Sequence, residues 1–259
     1  MCTLVALHRC AVGAPLWVAA NRDEFLDRPA EGPALRVGRS GPIVAPLDCQ
    51  AGGAWWGINQ MGVFAAVTNR PVARLDATRR SRGQLVVDLL AASSARQAAE
   101  RAGALGTGLY NPCNLFVADA EAAFAVIYEN APMLSTLAPG VHVIGNADPD
   151  ARTVAKIHRT MERAERVAAG PAAGIRDGLA ELCRTHGDDP DPKGDTCVHL
   201  GGYGTRSSTL LRLGSKKDLL EHADGPPCTS PYGDFTPLLG ELGRTASARS
   251  GEMATRKAS

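Results

Sequence analysis

The chain predicts an α+β fold, a four-layer α/β/β/α sandwich of two antiparallel sheets. Three observations carry that expectation. The elements alternate in blocks: strands, two helices, strands, two helices, strands. Short turns join the strands within a block, which favours hairpins and antiparallel pairing. The helices come in pairs with one apolar face each, as helical layers covering a sheet require.

Residues 2–9 and 15–20 read as the two strands of a hairpin, with Gly13-Ala14-Pro15 at its turn. Residues 27–42 are rich in Gly, Pro and Arg and read as a loop. Shorter strands are expected at 43–46, 54–58 and 62–68, with Asn59-Gln60-Met61-Gly62 as a turn. The period then changes. Leu85, Val86, Leu89 and Leu90 form one face of a helix over 81–92, with Ser81 as its N-cap, and a second helix follows at 94–103.

Strands return at 113–119, 122–128, 132–137 and 141–144. A helix over 150–168 carries Val154, Ile157, Met161 and Ala164 and stops at Gly170-Pro171; another over 173–186 carries Ile175, Leu179 and Leu182. Residues 187–195 read as an exposed turn-rich loop, and strands at 207–213 and 217–222 close the pattern. One domain is expected over 1–242. The Ser/Ala/Arg-rich tail over 243–259 lacks periodicity and is expected to be disordered.

Of the 259 residues, 44% are hydrophobic, enough for a sizeable core. Lys and Arg total 28 against 27 Asp and Glu, so no basic surplus points to nucleic acid. No apolar run approaches the ~18 residues of a membrane span. The cysteine count is odd and lacks CxxC spacing, which argues against a disulfide framework or a structural zinc site and suits a reducing cytoplasm. The histidines at 8, 142, 158, 186, 199 and 222 show no paired ligand spacing, so no metal is expected. Gly201-Gly202-Tyr203-Gly204 lacks the lysine of a phosphate loop and reads as a rigid turn presenting Arg206.

The chemistry points to Cys2. Removal of Met1 would give one residue both a thiol nucleophile and a free α-amine, whose pKa near ~8 makes it a base at neutral pH. Asn21-Arg22-Asp23-Glu24 follows the second strand, either as a solvated turn or beside Cys2 across the hairpin. There Asp23 would hold the α-ammonium and Asn21 would position the N-terminus. Asn69 ends a buried-looking strand, as a turn residue or as an oxyanion donor. Asn146 likewise follows a strand, where it also fits a helix-leading turn. Trp55 and Trp56 are adjacent on a strand and face opposite sides, one toward the core and one toward a pocket. Arg79-Arg80-Ser81-Arg82 is the densest cationic run, a solvated helix start or an anion site.

Met-Cys-Thr-Leu, Ala20-Asn21-Arg22-Asp23-Glu24, Trp55-Trp56-Gly57 and Tyr203-Gly204-Thr205-Arg206-Ser207-Ser208 occur in this order. In these motifs the chain resembles the NRDE family, also called the Transport and Golgi organisation 2 family, from residue 2 to about 240. The resemblance implies the N-terminal nucleophile (Ntn) hydrolase fold and a likeness to bile-salt hydrolases and penicillin V acylases, which cleave non-peptide amides. By that likeness Cys2 is the nucleophile, Asp23 holds it, Asn69 is the oxyanion asparagine and Asn146 a second one. Arg206 is then the arginine that lowers the thiol pKa, and Asn21, Arg22, Trp55 and Trp56 meet the substrate. The hydrolases carry Arg-Asn-x-Asp after strand two. Here Ala20 replaces that arginine, and Arg22, on the same strand face, stands in for it.

Two functions are then expected as alternatives. One is a cytoplasmic cysteine amidohydrolase acting on a small-molecule linear amide and requiring no cofactor. The other is a non-catalytic protein on the same fold that binds or traffics haem or an acyl-lipid, with Cys2, His8 or His142 as the haem ligand.

Overall fold

The structure is a computed structural model that describes residues 2–187, 191, 193–214 and 217–243. The expected tail falls outside these residues from 244 onward, as do residues 188–190 and 192 of the expected loop over 187–195. The strands are β1 (Cys2–His8), β2 (Leu16–Phe25), β3 (Ala30–Gly38), β4 (Gly41–Asp48), β5 (Trp56–Asn59) and β6 (Phe64–Asn69) in the first block. Helices α1 (Arg82–Leu89) and α2 (Ala95–Gly103) follow, then β7 (Cys113–Ala118), β8 (Ala123–Tyr128), β9 (Pro132–Leu137) and β10 (Gly140–Ile144). Helices α3 (Ala155–Ala168) and α4 (Ile175–Arg184) precede β11 (His199–Leu200), β12 (Tyr203–Leu213), β13 (Leu219–Ala223), β14 (Gly233–Asp234) and the short α5 (Pro237–Glu241).

One sheet runs β10-β1-β2-β12-β13-β14, with β11 added beside β12; the other runs β3-β4-β5-β6-β7-β8-β9. Every strand pairing among the named strands is antiparallel. Three apolar clusters make this a four-layer sandwich. Leu4, Ala6, Val18, Trp56, Phe64 and Phe116 lie between the sheets. Val5, Leu7, Trp17 and Ala19 pack under Ile157, Met161 and Leu179 of α3 and α4. Val63, Ala65 and Leu115 pack under Leu85, Leu89 and Ala98 of α1 and α2. Both faces of β1 are thus covered, which explains its unbroken apolar run. No helix among the described residues is long and apolar enough to cross a membrane.

The layers match the sequence expectation, with four local corrections. The expected loop at 27–42 contains β3, an edge strand whose Val37 and Leu35 are exposed, so no buried alternation marks it. Strand β2 continues through Asn21–Phe25 instead of stopping at residue 20. The glycine-rich segment at 201–208 enters β12 at Tyr203 and is not a free turn. Ser81 precedes α1 as expected but makes no side-chain cap, whereas Ser94 caps α2 by accepting from the Gln97 N–H at 3.2 Å.

Candidate functional site

Cys2 opens β1 and pairs in register with Arg22 of β2, so the two side chains share the face between the sheets. Both line a cleft of about 590 Å³ together with Trp55 and Asn69. Burial pushes the Cys2 thiol up, against the pull of a hydrogen bond from the Asp23 N–H and of Arg22. The thiol therefore depends on a base to become a nucleophile.

Asp23 follows Arg22 and lies alongside the amine end of Cys2, on the face toward α3 and α4. Its Oδ1 accepts from the Thr205 hydroxyl at 2.7 Å, and its carbonyl accepts from the Tyr203 hydroxyl at 3.0 Å. Burial raises its carboxyl to about 6, with Lys156 and the Thr205 bond pulling the other way. Lys156 is a residue that sequence reasoning missed. Its Nζ is buried without a hydrogen-bond partner among the described residues, and burial lowers its pKa against the attraction of Asp23, Asp195 and Cys2. In the sequence it reads as an ordinary surface lysine of an amphipathic helix.

Asn69 ends β6 at the cleft wall. Asn146 does not line this cleft; its side-chain amide donates to the Asn69 carbonyl. Around them, Gly145 O accepts from the Thr68 hydroxyl at 2.5 Å and the Asn114 amide at 3.0 Å, and Asn114 also donates to Ala147 O at 2.7 Å. These bonds bolt the end of β10 to the ends of β6 and β7. Thr68 and Asn114 carry no motif and were not foreseen.

The structure places three expected residues differently. Asn21 is 2% exposed, and its Nδ2 donates to Cys183 O at 2.8 Å and Thr196 O at 2.9 Å. Strand alternation sends it to the helical side, away from the cleft. Trp56 is 1% exposed and stacks on Phe64 at 6.2 Å, a core residue that does not line the cleft. Trp55 lines the cleft, with the Arg22 guanidinium 4.4 Å over its ring. Arg206 sits at a register shift between Thr205 and Ser207 and lines a small neighbouring pocket with Trp55, His222 and Asp224. The arginine facing Cys2 is Arg22.

The Arg79–Arg82 run forms part of the cleft rim. It is held there by a close approach of Gly53 to Gly83: a Cβ on Gly53 would lie 2.4 Å from the Gly83 carbonyl carbon, and the Ala54 N–H donates to Gly83 O at 3.1 Å. Arg28, Arg79 and Arg80 pair with Asp48, Asp76 and Asp88. Arg22 and Arg82 have no carboxylate partner among the ion pairs of the described residues. Burial lowers the pKa of both, and both lie close enough to Cys2 to feel its charge.

Of the residues expected as a haem ligand, Cys2 lines the cleft, and His8 and His142 do not. Cys2 and His8 stand at opposite ends of β1. His142 commits Nδ1 to Asp150 at 2.7 Å and Nε2 to Ala138 O at 2.8 Å. Ligand-type side chains gather elsewhere, where His186, Cys197, His199 and Cys228 meet.

Two antiparallel sheets between helical layers, with a cysteine at the head of the first strand, define a protein of the Ntn hydrolase fold. Solved structures agree on the fold. The Caenorhabditis elegans ortholog of N-acylethanolamine-hydrolyzing acid amidase aligns with TM-score 0.54 at 12% identity, over 81% of this chain and 92% of that one. The C2A mutant of conjugated bile acid hydrolase from Clostridium perfringens aligns with TM-score 0.51 at 11% identity, over 92% and 93%. The chain belongs to the Transport and Golgi organisation 2 family, whose model matches residues 1–220. It is 31% identical over 226 residues to the Bos taurus Transport and Golgi organization protein 2 homolog and 30% identical over 224 residues to the Homo sapiens one, covering 76% of this chain and 81% of each relative.

Proposed function

We propose that the chain is a cysteine amidohydrolase that cleaves a linear, non-peptide amide, with Cys2 as N-terminal nucleophile after removal of Met1. The observation that carries this reading is the convergence of Cys2, Arg22 and Asn69 on one cleft, with Asp23, next to Arg22 in β2, close enough for its charge to act on Cys2. The Cys2 α-amine takes the thiol proton, and Sγ attacks the amide carbonyl. The Asn69 side-chain N–H stabilises the oxyanion. The α-ammonium returns the proton to the departing amine as the C–N bond breaks. Water then hydrolyses the thioester, releasing the acid and restoring the thiol. Asp23 holds the α-ammonium, and Asn146 positions Asn69.

The substrate class follows from charge. Arg22 and Arg82 present cations without carboxylate partners among the ion pairs of the described residues, and Trp55 offers an apolar wall. An N-acyl amino acid, with its carboxylate at the arginines, suits that lining. The protein's cytoplasmic location and its freedom from any required cofactor belong to the same proposal. A carrier of acyl-lipid would use the same cleft without the thiol.

The test is hydrolysis of N-acyl amino acids by protein whose intact mass shows loss of Met1. Turnover is expected, and Cys2→Ala should abolish it while retaining substrate binding. Retained Met1, or unchanged turnover in Cys2→Ala, overturns the mechanism. Tight acyl-lipid binding without turnover in both proteins favours the carrier.

A further inference from the structure

The tightest gathering of metal-ligating groups lies outside the cleft. His186 and Cys197 face each other across an isolated parallel bridge, and the Cys197 N–H donates to Thr185 O at 2.8 Å. His199 lies two residues on, in β11. Cys228 comes from the turn after β13. Cys197 Sγ lies 3.7 Å from Cys228 Sγ and 3.6 Å from His199 Nε2, and His199 Nε2 lies 3.3 Å from Cys228 Sγ. The four ligand atoms all fall within 4.8 Å of one another. The His186 and His199 rings are 5.0 Å apart, centre to centre.

These separations have a simple reading. Tetrahedral zinc with Zn–S near 2.3 Å and Zn–N near 2.0 Å sets its ligands about 3.8 Å apart for two sulfurs and about 3.5 Å apart for sulfur and nitrogen. The three separations match those edges. A disulfide does not fit, since it needs an S–S distance near ~2.05 Å. Hydrogen bonding alone is a poor account, because thiols are weak donors and acceptors. Two sulfurs and two imidazoles, with no carboxylate among them, are the donor set of a borderline-soft d¹⁰ ion.

We propose that His186, Cys197, His199 and Cys228 form a closed Cys₂His₂ structural zinc site. All four positions come from the protein, so the ion serves to join segments. It ties the segment after α4 and β11 to the turn at 226–230. The tied segment also supports Asp23: the Val198 N–H donates to the Thr205 hydroxyl at 2.9 Å, and that hydroxyl donates to Asp23 Oδ1 at 2.7 Å.

Metal analysis of untagged protein from zinc-supplemented cells tests the site, with cobalt titration of the metal-free protein. About one equivalent of zinc per chain is expected. Cobalt should give the visible bands of a tetrahedral centre and a thiolate-to-cobalt charge-transfer band. Cys228→Ser and His186→Asn, both outside the core, should reduce bound zinc to traces with the circular dichroism of the fold retained. Cys2→Ala and Cys49→Ser should each keep the full equivalent, so failure of the amidase reading would leave this result intact. A zinc-free protein, a cobalt spectrum without thiolate bands, equal zinc loss in Cys49→Ser, or a zinc-insensitive Cys197–Cys228 disulfide each overturns it.

Discussion

The side-chain amide of Asn146 donates to the backbone carbonyl of Asn69. One asparagine at the end of β10 thereby fixes the strand end that presents the other to the cleft. Of these two asparagines, Asn69 alone lines the cleft that Cys2 lines. On the proposed mechanism, the expected pair of oxyanion asparagines becomes a donor and its support.

The two asparagines should therefore differ when replaced. Asn69→Ala is expected to lower kcat by roughly 10²–10³, the usual cost of a lost oxyanion donor. Asn146→Ala removes one supporting hydrogen bond of about 1 kcal/mol and should lower kcat by about tenfold or less. Single-turnover acylation rates measure both; equal losses would mean that Asn146 reaches the substrate itself.

On the proposed mechanism, Asp23 adds a second acid-side loss to the pH profile, below that of the α-amine. Its folded carboxyl titrates at about 6, above the ordinary value, because burial disfavours the charged form. Only the carboxylate holds the α-ammonium, so kcat should fall further as pH drops through about 6. Lys156 pulls the Asp23 pKa down. Replacing it, as Lys156→Met, should move that loss to higher pH. The pH–rate profiles of the two proteins check the direction, and a shift to lower pH would contradict the assignment.

The tryptophans should separate stability from binding. Trp56→Ala empties a core position and should cost about 3–5 kcal/mol, measured by urea unfolding. Trp55→Ala should leave the unfolding midpoint nearly unchanged and raise KM.

Asn21→Ala should behave as a stability variant. It leaves the buried Cys183 and Thr196 carbonyls without the Asn21 donor. A loss of about 1–3 kcal/mol is expected. A large KM effect with unchanged unfolding would instead place Asn21 at the substrate.

Arg82→Met should weaken anionic substrates and spare neutral amides, since Arg82 lines the cleft with no carboxylate partner among the ion pairs of the described residues. Comparing kcat/KM for an N-acyl amino acid and its amide-capped analogue reads the difference, and a uniform loss would count against an anion subsite.

The four layers were legible because hydrophobic periodicity is local. Leu4 and Ala6 alternate with Val5 and Leu7, and Leu85 and Leu89 recur at helical spacing, whatever the chain does elsewhere. Edge strand β3 was hidden because its exposed Leu35 and Val37 follow no buried face. Cys2 was legible through the coincidence of thiol and position, and Asn69 through its place at a strand end.

What met what was decided only in three dimensions. Pairing of β1 with β2 put Arg22, and not Arg206, opposite Cys2. A register shift in β12 carried Arg206 into the neighbouring pocket. Packing of α3 brought Lys156 to Asp23, and a bridge closing the segment from 186 to 197 brought two cysteines and two histidines together without any repeating spacing. Sequence alone determined most of the elements and singled out Cys2 as the candidate nucleophile, because each depends on residues close in the chain. Tertiary structure decided the site's partners, because strand register, bulges and layer packing arise from contacts between residues distant in the chain.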